Sequence, residues 1–364
     1  MKWLPVLALL AAVSLDELKR MTARFAPVEL KVDTSALPAA DRAALDPLIR
    51  AAHLIDSIFL TQFWNGNHAL LAKLRKDASP LGRARLQLFW IEKGPWSSLD
   101  HHKAFLPDVP ERKPEGANFY PSDMTKAEFE RWVGTLSEAD RQRAQGFFTT
   151  IRRSNGKLTI VPFSEEYKAE LPKLAALLRD AAQKTDNATL KRFLNLRAEA
   201  FLSNDYYASD VAWMDLDAPL DITIGPYETY NDELFGYKAA FEAYITLRDD
   251  RETEKVKFFS DHLQEIENNL PIDAKYRNPK IGALAPIRVV NQIIATGDAA
   301  RGVRTAAFNL PNDERVIKEK GSKRVMLRNV QEAKFNSILV PISKRVLPAT
   351  AQEDLSFDSF FTHI

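Results

Sequence analysis

Between Asp41 and Phe63, apolar residues fall at Leu45, Leu48, Ile49, Ala52, Ile55, Phe59 and Phe63. Spacings of three and four predict an amphipathic helix, with His53 flanking its stripe as a packing residue. Prolines at 107, 110, 114 and 121 then forbid continuous helix and mark a surface loop or a joint between sub-domains. Thr125 with Glu128 forms a capping box ahead of Phe129, Trp132 and Val133, and Ser164 with Glu165 and Glu166 opens a helix expected to reach Leu177 and Leu178. β-Branched and aromatic runs predict strands from Lys157 to Phe163, Asp221 to Tyr230, Ala240 to Arg248 and Ser337 to Val346. Helical patterns return from Arg251 to Asn269 and from Ile287 to Ala295. Helices first, then strands with helices between them, describe a helix-rich α+β fold with a small mixed or barrel-like β region. There is no internal repeat, glycine-rich phosphate loop or serine nucleophile elbow.

Both ends of the chain carry apolar runs. Lys2, the run from Trp3 to Val13, and Ser14, with Ala12 and Ser14 as a small-x-small site, predict a signal peptide over residues 1–14. The run is shorter than the roughly 20 residues a membrane span needs. The expectation is export to a bacterial periplasm; the alternative is a cytoplasmic protein with a mis-assigned start or a frayed apolar end. At the other end Phe357, Phe360, Phe361 and Ile364 follow helical spacing with no closing cap. A helix under ~12 residues is marginal alone, so the sequence reads as cut inside a further lobe.

Composition narrows the function. Lys plus Arg number 50 against 49 for Asp plus Glu, so there is no basic excess of the kind that drives nucleic-acid binding. With no cysteine, thiolate metal sites, disulfides and thiol nucleophiles are excluded, and a metal would need His, Asp or Glu. His101 and His102 beside Asp100 lack a third ligand at a zinc-site spacing. Asp205, Asp210, Asp215, Asp217 and Asp221 lack the spacing of a calcium loop and read as solvated loop acids or helix caps.

The stretch from Gly225 through Glu228, Tyr230 and Asp232 to Gly236, followed by Phe241-Glu242-Ala243-Tyr244, carries a Glu-x-Tyr segment running into an aspartate and Phe-Gly. Downstream lies Asn309-Leu310-Pro311-Asn312, followed by Asp313, Glu314 and Arg315. Asn204 to Tyr207 and Ala212 to Asp217 add two shorter segments. In this order the segments resemble the dipeptidyl peptidase III family of zinc metallopeptidases, in its compact bacterial branch, over roughly residues 25–364. The resemblance implies a two-lobed exopeptidase that releases dipeptides from the amino terminus of short peptides. It implies Glu228 as the group holding the substrate's free amino end, Tyr230 as the catalytic donor to the scissile carbonyl, and Asn309 and Asn312 as clamps on the substrate backbone. It implies zinc as cofactor, with the ligands of a His-Glu helix and a later Glu expected beyond Ile364, and hence no metal ligand in this chain and no activity from it alone.

The residues by themselves permit this chemistry without requiring it. In an extended strand Glu228 and Tyr230 share a face about 6.6 Å apart, and a phenol keeps its proton at neutral pH and can donate to an oxyanion. The alternative is a half-buried sheet tyrosine beside a solvated glutamate. Pro311 makes Leu310 extended and Asn312 a turn residue, which suits either a clamp or an ordinary asparagine turn. The domain reading is a signal peptide over 1–14, a mainly helical region over 15–155, a mixed α/β region with the cleft residues over 156–346, and the start of the zinc-bearing lobe over 347–364. Two rivals remain open: a non-catalytic peptide-binding protein, and a zinc hydrolase of the same fold with a non-peptide substrate. The pattern leaves the oligomeric state and the peptide preference open.

Overall fold

The computed structural model describes residues 13–280, 287–352 and 355–363. Most of the expected signal peptide and Ile364 lie outside the described residues. Ser14 is described, and it is the N-cap of helix Leu15–Thr22, its hydroxyl accepting from the Glu17 N–H at 3.2 Å. Among the described residues no helix is long and apolar enough to cross a membrane.

The long helix Ala39–Phe63 is the spine of the molecule. Leu48, Ile55, Phe59 and Phe63 on its stripe are fully buried, each worth about 1.5–3 kcal/mol relative to exposure. The helix packs on Leu171–Lys184 on one side and on strands Ala240–Arg248 and Ile287–Gly297 on the other. Polar contacts fix that second interface. The Gln62 side chain accepts from the Phe241 N–H at 2.7 Å and donates to the Ala239 carbonyl at 3.2 Å, while the Thr296 hydroxyl donates to the Ala52 carbonyl at 2.6 Å. Gly297, at φ 68°, is where helix and sheet come closest: a Cβ there would lie 2.2 Å from the Phe241 carbonyl oxygen and 2.9 Å from an Ile55 methyl. Its N–H donates to Asp56 Oδ1 at 2.7 Å.

The main sheet has five strands in the order Leu220–Glu228, Ala240–Arg248, Ile287–Gly297, Lys323–Leu327, Ala307–Leu310. All neighbours are antiparallel except Ile287–Gly297 with Lys323–Leu327, so the sheet is mixed, on a helix-rich α+β chain. It curls until its edges meet. Asn312, just past one edge strand, donates its amide N–H to the Tyr227 carbonyl of the other at 2.7 Å, and Phe308 stacks on Tyr244 with centroids 4.5 Å apart. A separate hairpin, Thr149–Ser154 with Lys157–Pro162, spans residue 155.

Three expected elements outside the site differ. Ile287 to Ala295, read as helix, is a central strand through Gly297: two sheet neighbours and packing on both faces override the apparent helical spacing of its β-branched residues. Ser337 to Val346, read as strand, is helical, as a π turn Phe335–Leu339 followed by helix Val340–Val346. Pro341 brings no N–H to a helix that runs on from Arg328, and the π turn lies immediately ahead of it, as expected where the regular ladder is broken. The helix expected from Ser164 is interrupted, with a short turn Phe163–Glu166 and a new start at Leu171. Thr125 does cap its helix, accepting from the Glu128 N–H at 3.1 Å, but the Glu128 carboxylate is drawn to Arg153 instead of closing the box. At the C-terminal end, helix Phe357–His363 lays Phe361 against Val256 and Val289.

Candidate active site

Strand Leu220–Glu228 is buried along its length until its last residue. Its register slips between Pro226 and Glu228, leaving Tyr227 as the extra residue of a bulge that re-aims the side chains on either side. Tyr227 is buried against the fully buried guanidinium of Arg197, 5.5 Å from its ring. Arg197 is held by Asp210 Oδ1 at 2.5 Å. Asp210 is therefore a buried ion-pair partner and not the solvated acid expected from its neighbours in sequence, and Asp221 is likewise buried.

Glu228 comes next, half-buried, and the strand ends there. The expected strand through Tyr230 thus stops two residues early, and the shared strand face does not exist. Tyr230 instead lies in the turn that the Asp232 N–H closes on the Thr229 carbonyl at 3.1 Å, with 77% of its surface exposed. Both side chains nevertheless line one open cleft of about 370 Å³, together with Asn309 and Asn312. Asn309 is exposed on the far edge strand. The four residues singled out from the sequence are thus collected by closure of the sheet, with two from each edge.

Two further acids line the same cleft, Glu242 and Asp298, and the sequence reading assigned neither a role. Glu242 is almost wholly buried, and its Oε1 has no hydrogen-bond partner. Burial, reinforced by the charges of Glu228 and Asp298, holds its carboxyl well above the ordinary glutamate range. Glu228 is pushed upward too, first by burial and then by Asp298. A signal for Glu242 was present: a lone carboxylate within the apolar run Ala239 to Ile245 is costly unless something compensates it. Asp298 had none, because its place depends on the helix contact at Gly297. The result is an acidic cleft lined by two exposed hydroxyls, those of Tyr230 and Thr305, and by two amides. It offers acceptors for a cation and O–H donors for a carbonyl.

Among the described residues no group of three or more His, Asp or Glu is arranged to hold a metal. His102 is paired with Glu233 at 3.1 Å and His68 with the Thr61 hydroxyl at 2.9 Å.

The profile of Peptidase family M49 matches residues 121–352. The chain is 42% identical over 395 residues to a protein of Arabidopsis thaliana named Nudix hydrolase 3, covering 95% of this chain and 51% of that one. A solved dipeptidyl-peptidase III from Corallococcus sp. strain EGB superposes with a TM-score of 0.89 at 59% identity, covering 96% of this chain and 65% of the other. For DPP III from Caldithrix abyssi the TM-score is 0.91 at 49% identity, covering 95% and 66%. The chain spans about half the length of the curated relative and just under two thirds of each solved one. A profile matched over most of the chain, and solved relatives superposing along nearly all of it, place the chain in peptidase family M49, the dipeptidyl-peptidase III family.

Proposed function

We propose that this chain forms the peptide-end recognition side of an exopeptidase that releases dipeptides from free amino termini. One observation carries the reading: Glu228 and Tyr230 from one sheet edge and Asn309 and Asn312 from the other line a single cleft whose charged groups are all carboxylates. A peptide's terminal ammonium is the cation such a cleft favours, and Glu228 is the acid at its rim. The asparagines, which line the same cleft, hydrogen-bond the first residues of an extended peptide in this reading. Tyr230, exposed and able to donate, serves the scissile carbonyl oxygen as charge develops there. Zinc is the metal we propose for the whole protein on family grounds. The test is calorimetric titration with a short peptide in free and N-acetylated forms: the free form binds and the acetylated form does not. Equal affinities would remove the amino-end reading.

A second reading, hydrolysis of a non-peptide substrate, draws on the name of the Arabidopsis relative. Release of dipeptides from an unblocked peptide by the full-length protein separates the two. We also propose that the apolar start directs export. Cleavage after the Ala12–Ser14 site would start the mature chain at Leu15 and remove the Ser14 cap of the first described helix; mass spectrometry of the mature amino terminus tests this.

A further inference from the structure

Tyr230 is exposed, but its neighbours in the chain are not: Asn231 and Asp232 are 1% and 2% exposed. The Asp232 carboxylate accepts from the Tyr120 hydroxyl at 2.7 Å and from the N–H groups of Leu234, Phe235, Tyr237 and Lys238. This cradle secures the downstream side of the turn. Asn231 ties the turn in two other directions. Its carbonyl accepts from the buried Lys113 ammonium at 3.0 Å, and its side-chain amide donates to Asp298 Oδ1 at 2.7 Å.

Asp298 stands on a different foundation. It follows Gly297, whose N–H is bound to Asp56 on the long helix, and Arg301 Nε lies 3.6 Å from the same Asp298 oxygen. The Asn231–Asp298 bond therefore joins the turn carrying Tyr230 to a segment fixed by the central strand and the helix. The Asn231 amide oxygen is buried without a partner. A buried amide used at one end only is costly to keep, and its N–H contact to a carboxylate is of the stronger, charge-assisted kind.

We propose that Asn231 is a positioning residue which, with Asp298 as its acceptor, sets the direction from which the Tyr230 phenol enters the cleft. The proposal rests on the reading of Tyr230 as donor to the scissile carbonyl. Asp298 on this view has two faces, one toward the cleft and one toward Asn231.

The test uses 3-fluorotyrosine in the whole chain, whose nine tyrosines give separate fluorine resonances, with residue 230 assigned through Tyr230→Phe. Asn231→Ala and Asp298→Ala are expected to narrow the residue-230 resonance and move it toward the free amino-acid position, leaving the others in place. Asp298→Asn retains an oxygen that can accept from Asn231 and is expected to keep the resonance near its original position. In the full-length peptidase Asn231→Ala should lower kcat by about tenfold to a hundredfold with little change in KM, as for a displaced catalytic group. Should Asn231→Ala fail to fold, Asp298→Ala removes the acceptor without touching the turn. An unmoved residue-230 resonance in a folded alanine variant, or an Asp298→Asn spectrum matching that of Asp298→Ala, overturns the positioning role alone. Full turnover in Tyr230→Phe overturns the functional reading, and this role with it.

Discussion

The Asn312 side-chain N–H donates to the Tyr227 carbonyl at 2.7 Å, so this amide closes the curled sheet one residue before Glu228. Its nitrogen is committed to the fold, which leaves its oxygen for a ligand. Asn309, exposed on the neighbouring strand, carries no such structural duty.

The two asparagines should therefore separate on mutation. Asn312→Ala abandons the buried Tyr227 carbonyl and is expected to cost about 1–3 kcal/mol of stability as well as weakening peptide binding. Asn309→Ala should stay within about 0.5 kcal/mol of wild type, as exposed substitutions do, and affect binding alone. Urea unfolding alongside calorimetric titration checks both, and equal stability losses would show that the sheet closure does not depend on Asn312.

Tyr230→Phe and Glu228→Gln should fail differently in the full-length protein. The phenol's hydrogen bond strengthens only as the carbonyl oxygen gains charge, so its loss lowers kcat by about 10²-fold and leaves KM nearly unchanged. Glu228 meets an ammonium already present in the bound substrate. Neutralising it removes a charge-assisted contact of about 1.5–3 kcal/mol, raising KM by about 10- to 100-fold. Steady-state kinetics on free and N-blocked peptides decides this, because blocked peptides should be poor substrates that the Gln substitution hardly worsens. Equal losses for both peptide types would make Glu228 an ordinary strand-end residue.

Much of this site was legible in the sequence, for reasons that can be traced to residues. The apolar period of residues 41–63 survives folding because that helix is packed between another helix and the sheet, and the run Ala240 to Arg248 occupies its strand residue for residue. Ile287 to Ala295 reads as helix because its apolar residues fall on both faces of the strand, adjacent Val289 and Val290 both being buried, which erases the alternation that identifies a strand. Glu228, Tyr230, Asn309 and Asn312 were found through motifs. The resemblance implied that they share a cleft, but how they meet was not legible, since it depends on a bulge at Tyr227 and on the meeting of two sheet edges. Local pattern carries no record of either. Asp298 and Asn231 escaped for the same reason, their partners lying far away in sequence.

Peptide affinity should depend on pH through Glu228. Burial first and Asp298 second raise its pKa, so on acidification it takes up a proton earlier than an ordinary glutamate and loses the charge that attracts the substrate ammonium. Affinity then rises with pH through the raised Glu228 value, and falls again where the peptide's amino group loses its proton near about pH 8. Titrations from pH 4 to 9 should give a bell for wild type. Glu228→Gln should lose the acidic limb and keep a weakened alkaline one. An acidic limb that persists unchanged in the variant would assign it to another carboxylate of the cleft.

Glu242 makes the corresponding prediction for stability. Burial in the sheet, with Glu228 and Asp298 adding their charges, raises its folded pKa well above the ordinary value of 4.5. The folded chain therefore holds this proton more tightly than the unfolded chain does. Wherever the native state binds more protons, stability falls as pH rises. The contribution is complete below the unfolded value and disappears progressively as pH climbs toward the folded one, at about 1.4 kcal/mol for each tenfold difference in the two proton dissociation constants. Glu242→Gln keeps the shape and has no proton to lose, so its stability should fall less than that of wild type between pH 5 and 8, and the variant should overtake wild type on the alkaline side. Chemical denaturation at matched ionic strength across that range measures the difference directly. Parallel profiles for the two proteins would mean that the Glu242 proton is bound alike in both states and that its charge is compensated in the folded chain.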